Sequence, residues 1–296
     1  MSTAVRDLVT ERPADTTAET LTETLQSKLS NPASAPDFDL HGSVNEVLRD
    51  VGLTAADSGG KLSFYGQDPI IPSPHRFGAM AAVGLAARSV ALAALWKDRT
   101  GEGQDIHVDV RKALRRFYGF FEGKWETING RGPVMIDRSN PFWEIPLFRK
   151  TSDGRHVVAI NIYPGLHSRA VNLLKSSDSP ESVNNAILQW RADELETAAQ
   201  QAGLPFAKVR TNEEFLKERQ FSEVLSTMPL ITLEKIGESD PVPFKRGAKS
   251  PLDGIRALGM GHVIAGAAMG RDLAYYGGDV LNIWRPTDTE IDAFVW

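Results

Sequence analysis

The 296-residue chain contains no cysteine, which excludes disulfides, zinc–thiolate sites and a cysteine nucleophile outright. Histidine is scarce, at six residues. His41, His107, His156, His167 and His262 show no HExxH or similar spacing, so no metal site is expected. Positive charge is in deficit: the net charge of −5 gives no general attraction to nucleic acid or to anionic membranes. An anionic ligand would have to be met locally, by clustered arginines or by backbone N–H groups. The first residues, "MSTAVRDLVTERPADTT", carry acidic groups and no apolar core run, unlike a secretory signal.

Long hydrophobic runs are nearly absent. One stretch, "GAMAAVGLAARSVALAALW" (Gly78–Trp96), is long enough to cross a bilayer. Arg88 at its centre would cost about 2.5–3.5 kcal/mol there, and alanine rather than leucine dominates it. A buried helix is expected instead, its small residues letting neighbouring backbones approach closely, with no membrane partner and a cytoplasmic location.

What is present has the balance of a globular protein, 42% hydrophobic and 24% charged. Residues 1–37, rich in Thr, Ala, Ser, Pro and Glu, are expected as a tail with a short helix around Thr20–Leu29. "SVNEVLRDVGL" predicts a helix with Ser43 as cap, Glu46 completing a capping box and Gly52 near the end. A short strand in "DSGGKLSFYGQDP" precedes the alanine-rich helix. "QDIHVDV" then alternates polar and apolar residues as a strand does. "FWEIPLFRKTSDGRHVVAINI" reads as a hairpin turning at Asp153-Gly154. "ADELETAAQQAGLPFAKVRTNEEFLKE" reads as helix, Gly203 stop, strand, helix. The chain closes with strand, glycine-rich turn and helix in "SPLDGIRALGMGHVIAGAAMG", followed by a strand in "DVLNIW". The expected organisation is a tail (1–37), a helical portion of a larger domain (38–130), a small α+β domain (131–230), and a connector with a closing strand–turn–helix–strand (231–296). The fold class is α/β.

Three stretches together resemble the class III CoA-transferases, a family that includes formyl-CoA and carnitine-CoA transferases and α-methylacyl-CoA racemases. They are the alanine-rich helix ending "LAAL" with "RTGEGQDIHVDV", the "TSDGRHVVAI" hairpin with "ADELETAAQQAGLPFAKVRTNEEF", and "PLDGIRALGMGHVIAGAAMGRDLAYYGGDVLNIWRP". The order is unusual, because the segment that opens an ordinary family member stands last here and the Rossmann-like stretch that normally follows it is missing. The resemblance therefore implies an incomplete Rossmann-like CoA-transferase large domain beside a smaller α+β domain, in a rearranged, truncated or partner-completed chain.

The resemblance also implies chemistry. Family members use a carboxylate nucleophile at the start of the alanine-rich helix, where helix-end N–H groups stabilise developing negative charge. Aligning "LAAL" puts Met80 at that position, and a thioether cannot perform the attack. The nearest upstream candidates are Asp68, if its loop folds back onto the helix start, and His75, as a base of the racemase kind. Each has a plainer reading, Asp68 as a turn residue and His75 as a loop or capping residue. For coenzyme A, the resemblance carries His262, Val263 and Ala265 onto the turn along the cofactor and Arg285 onto the arginine that meets its nucleotide end. Gly259, Gly261 and Gly266 would let N–H groups approach a pyrophosphate, or serve only strand–helix packing. Ile264, Ala267 and Trp284 depart from the family pattern. The implied substrates are an acyl-CoA and a small carboxylic acid, without a metal, in a homo- or heterodimer. The alternatives are a catalytically inactive subunit pairing with an intact family member, and an acyl-CoA racemase or epimerase.

Overall fold

A computed structural model describes residues 38–71, 73, 75–116, 147–161, 163–244, 247–261 and 265–283. The expected tail, the helix around Thr20–Leu29, His262, Val263 and Arg285 lie outside the described residues. The described parts of Met1–Pro133 and Glu218–Arg285 form one compact unit, and those of Val134–Lys217 a second. The class is α/β, with parallel strand pairs joined through helices.

The first unit begins with α1 (Leu40–Arg49). Its cap is Asp39 and not Ser43: the Asp39 carboxylate accepts the Gly42 N–H at 2.8 Å, while the Ser43 N–H already donates to the Asp39 carbonyl. Asp39 stands the required distance ahead of a free first-turn N–H, so the helix starts a turn earlier than the Ser43 reading places it. Strand β1 (Gly59–Tyr65) leads through a loop into α2 (Phe77–Thr100), and β2 (Gln104–Asp109) returns parallel to β1. Gly101 ends α2 in the left-handed conformation, its φ of 81° available to a residue without Cβ.

Alternation decides which face is buried. Leu62, Ile106 and Val108 point inward and meet Ala82, Ala86, Val90 and Ala93 of α2 and Val44 and Leu48 of α1. The long apolar helix thus satisfies its alanine face within this core. By length and composition alone it would also be able to cross a membrane. The opposite face of the strand pair is polar, with Ser63 Oγ 3.0 Å from His107 Nδ1 and the Lys61 N–H donating to Asp105 at 2.7 Å.

Later in the same unit, β6 (Arg256–Gly259), α7 (Ala265–Tyr275) and β7 (Asp279–Asn282) form a second parallel β–α–β pair. Asp272 of α7 pairs with Arg88 of α2, and Arg116 lies 3.6 Å from the same carboxylate. The arginine at the centre of the apolar run is therefore neutralised inside the protein.

The second unit holds the expected hairpin, β3 (Phe148–Lys150) antiparallel to β4 (His156–Ala159), with β5 (Phe206–Lys208) on the far side of β4. Against this sheet pack α3 (Pro164–Leu174), α4 (Pro180–Ile187) and α5 (Ala192–Gln201), burying Val157, Ala159, Leu174, Val183, Ile187, Leu195 and Phe206. A short helix α6 (Asn212–Lys217) follows β5.

Candidate functional site

In a parallel β–α–β unit the loop leaving the first strand and the start of the helix share the carboxyl edge of the sheet, where ligands of α/β proteins usually bind. Here that edge carries Tyr65 at the end of β1 with Gly66, Gln67 and Asp68 after it, the first turn of α2, and Asp109 at the end of β2 with Val110 and Arg111 after it. The residue before α2, Arg76, gives its first turn no side-chain bond. Asp68 does so from the loop: one carboxylate oxygen accepts the Gly78 N–H at 3.2 Å and the other the Ala79 N–H at 2.7 Å. The loop folds back onto the helix start, the condition on which the sequence reading made Asp68 a candidate.

The approach depends on Gly78. A Cβ there would lie 2.6 Å from Ile70 Cδ1, 2.8 Å from Asp68 Oδ1 and 2.9 Å from Val110 Cγ1, all closer than real Cβ atoms come. Beside the carboxylate is a cavity of about 150 Å³ bordered by Phe38, Gln67, Asp68, Arg76, Ala79 and Val110. Pockets for drug-sized ligands measure roughly 300–1,000 Å³, so this one is smaller than they are. Arg76 lies over the Phe38 ring, 5.2 Å from its centroid, and contributes positive charge to the wall.

The other lip of the edge is an ordered cation. Arg111 forks onto Asp109 at 3.0 and 2.8 Å and stacks on Tyr65, 4.6 Å from the ring centroid. The guanidinium holds the Asp109 carboxyl well below the usual carboxylate range, with backbone N–H bonds adding to the effect. Arg111 is not among the residues that the sequence motifs single out. The available signal was its place two residues past the end of an alternating strand.

The remaining candidates fall elsewhere. His75 is exposed; its backbone N–H donates to Ser73 Oγ at 3.1 Å and its ring meets Phe77 edge-on. Met80 is 55% exposed on the first turn of α2, so the position to which the resemblance assigns a carboxylate faces solvent. Ala265 is exposed at the start of α7. Around it the glycines mediate packing: a Cβ on Gly261 would lie 2.5 Å from Gly266 Cα, and one on Gly270 would lie 2.4 Å from Asn282 Oδ1. The loop after β6 and the start of α7 are therefore in backbone contact at Gly261 and Gly266, and the Asn282 side chain of β7 fills the space beside Gly270. Among the described residues no group of three or more His, Asp or Glu is arranged to hold a metal ion.

No family model matches the sequence, and no curated protein does. Among solved structures, a CAIB/BAIF family protein from Brucella suis is similar at 18% identity with a TM-score of 0.34, over 57% of this chain and 50% of that one. The chain thus spans half the length of that solved relative.

Proposed function

We propose that this is a protein that handles acyl-CoA thioesters, with Asp68 as the reacting carboxylate and a small carboxylic acid as the second substrate. The observation that carries the reading is the Asp68 carboxylate seated on the Gly78 and Ala79 N–H groups at the carboxyl edge of β1 and β2. The helix end supplies there the electrostatic setting that the resemblance implies for a nucleophile, although the residue comes from the loop and not from the helix.

In this scheme an Asp68 oxygen attacks the thioester carbonyl, the C–S bond breaks, and CoA leaves as thiolate, giving a mixed anhydride. The thiolate then attacks the Asp68 acyl carbon and releases the donor acid, leaving CoA on the enzyme. The acceptor carboxylate attacks that thioester in turn, forming a second anhydride. The freed CoA thiolate attacks its acceptor-derived carbon, giving the new acyl-CoA and regenerating Asp68. The helix-end N–H groups favour each oxyanion as it forms. The cavity beside Asp68 accommodates the acyl group, and the turn at His262, Val263 and Ala265, with Arg285, holds the nucleotide portion.

A second reading, a non-catalytic subunit that pairs with an intact relative, is favoured by one specific observation. Both Asp68 oxygens are already engaged in closing the helix start, the structural duty of a cap. Calorimetry with CoA and acyl-CoA, followed by hydroxylamine trapping of the wild type and Asp68→Asn, separates the two. CoA binding with a trappable adduct lost in Asp68→Asn supports the first reading. Binding without an adduct favours the subunit, and no binding of either ligand overturns both the CoA assignment and its chemistry.

A further inference from the structure

The segment that follows β2 runs against the charge balance of the chain. The net charge is −5, yet Arg111, Lys112, Arg115 and Arg116 stand close together and all are exposed. The chain is helical at Val110–Ala113 and again at 115–116, so Arg111 neighbours Arg115 and Lys112 neighbours Arg116 across one turn. Like charges at that spacing weaken a helix. Two carboxylates face the four cations. Asp109 holds Arg111, while Asp272 lies 3.6 Å from Arg116 and is shared with Arg88 and Arg271. The Lys112 ammonium has no ion-pair partner among the described residues.

The ridge is fixed from beneath and from the side. Val110, Ala113 and Leu114 are buried under it. The Arg111 stem lies along Gly66, where a Cβ would come within 3.3 Å of Arg111 Cγ. Its guanidinium is forked onto Asp109 and stacked on Tyr65, a ring that is 55% exposed and has no other ring contact among the described residues.

We infer that this ridge is a binding site for a nucleotide carrying two or more phosphates. The base stacks on the Tyr65 ring, and the phosphates are met by Lys112, Arg115 and Arg111 Nη1, the guanidinium nitrogen that the Asp109 fork does not use. Cations alone would suit any anion and an exposed ring any flat ligand; side by side they match a base joined to phosphates. The place agrees, since the carboxyl edge of a parallel pair is where α/β proteins bind such ligands. A long nucleic acid fits less well, because the net negative charge of the chain repels a polyanion that extends past the ridge. The inference does not rest on the chemistry assigned to Asp68. Two sources share the recognised groups, a free nucleotide and the nucleotide end of CoA.

The test is titration calorimetry of the full chain with ADP, inorganic pyrophosphate and CoA, using Lys112→Glu and Tyr65→Leu as variants. Both positions are exposed, and circular dichroism checks that each variant folds. The wild type is expected to bind ADP more tightly than pyrophosphate, which lacks the base. Lys112→Glu should weaken both about tenfold, whereas Tyr65→Leu should weaken ADP more than pyrophosphate. Displacement of ADP by CoA assigns the ridge to the nucleotide end of the thioester, and simultaneous binding assigns it to a free nucleotide; either result upholds the site. ADP binding without CoA binding upholds it too, and overturns the thioester reading alone. No ADP binding at roughly 1 mM, ADP binding indifferent to Lys112→Glu or to Tyr65→Leu, or tighter binding of a single-stranded oligonucleotide than of ADP would each overturn the proposal.

Discussion

Asp68 Oδ2 lies 2.7 Å from the backbone nitrogen of Ala79, eleven residues further along the chain. The contact closes the loop between β1 and α2 and satisfies N–H groups that Arg76, at the cap position, leaves without a side-chain partner. Asp68→Ala is expected to destabilise the protein by about 1 kcal/mol, the usual cost of losing a helix-start acceptor. Asp68→Asn, which keeps one acceptor oxygen, should cost less. Urea unfolding of the three proteins measures the order, and equal stability of all three would remove the capping role.

Two glycines of α2 are expected to respond oppositely to alanine. At Gly78 the new Cβ would press on Ile70, Asp68 and Val110, and Gly78→Ala should cost about 1–3 kcal/mol, as overpacking does. At Gly84 nothing lies within 4 Å of the added atom. Gly84→Ala should therefore stabilise by up to about 1 kcal/mol through helix propensity. Thermal midpoints moving in the same direction for both would contradict the packing described around Asp68.

In the second unit Arg155 holds the Glu214 carboxyl down to about 2, with the Thr211 N–H assisting. A carboxyl depressed on folding contributes stability that is fully present above its unfolded value, near 4.5. That contribution is lost as pH falls through about 2. The stability difference between wild type and Glu214→Gln is thus expected to be largest above pH 4.5 and to shrink toward pH 2. Thermal melts across that range give the answer, and a difference constant with pH would show that the ion pair has no share in it.

Arg99 is an unusual buried cation. Among the described residues its three guanidinium nitrogens find no hydrogen-bond partner, and its charge stands 4.1 Å from the centre of the Phe244 ring. An unbonded buried guanidinium costs free energy that cation–π attraction of roughly 1–2 kcal/mol only partly offsets. Arg99→Met should accordingly leave stability unchanged or raise it. A loss of more than about 1 kcal/mol would show that the ring contact outweighs the desolvation.

Where a pattern is local, the sequence shows it. The alternation of Gln104–Val110, the Asp153-Gly154 turn and the Gly203 stop appear in the structure as β2, the β3–β4 hairpin and the end of α5. Ser179 followed by Pro180 is a further local signal: it marks the start of α4, and the Ser179 side chain accepts the Ser182 N–H. Ser43 and Asp39 are both residue types that cap helices, and only the backbone path makes Asp39 the cap of α1. The seat of Asp68 is of another kind. It depends on the missing side chain of Gly78 and on the return of the loop between β1 and α2, which no spacing rule encodes. The resemblance directed attention to Met80, whose helical position is legible but whose outward aim is not.

Arg88 and Asp272 are separated by 184 positions, and in sequence the described part of the second unit lies between them. On the ribosome, the central cation of the alanine-rich helix therefore emerges well before Asp272, the carboxylate that matches it, has been synthesised. Residues 147–217 can collapse around their own core in the meantime and shorten the loop that remains to be closed. The Arg88–Asp272 contact is then made only after the intervening residues have been synthesised, and it joins the first half of its unit to the last.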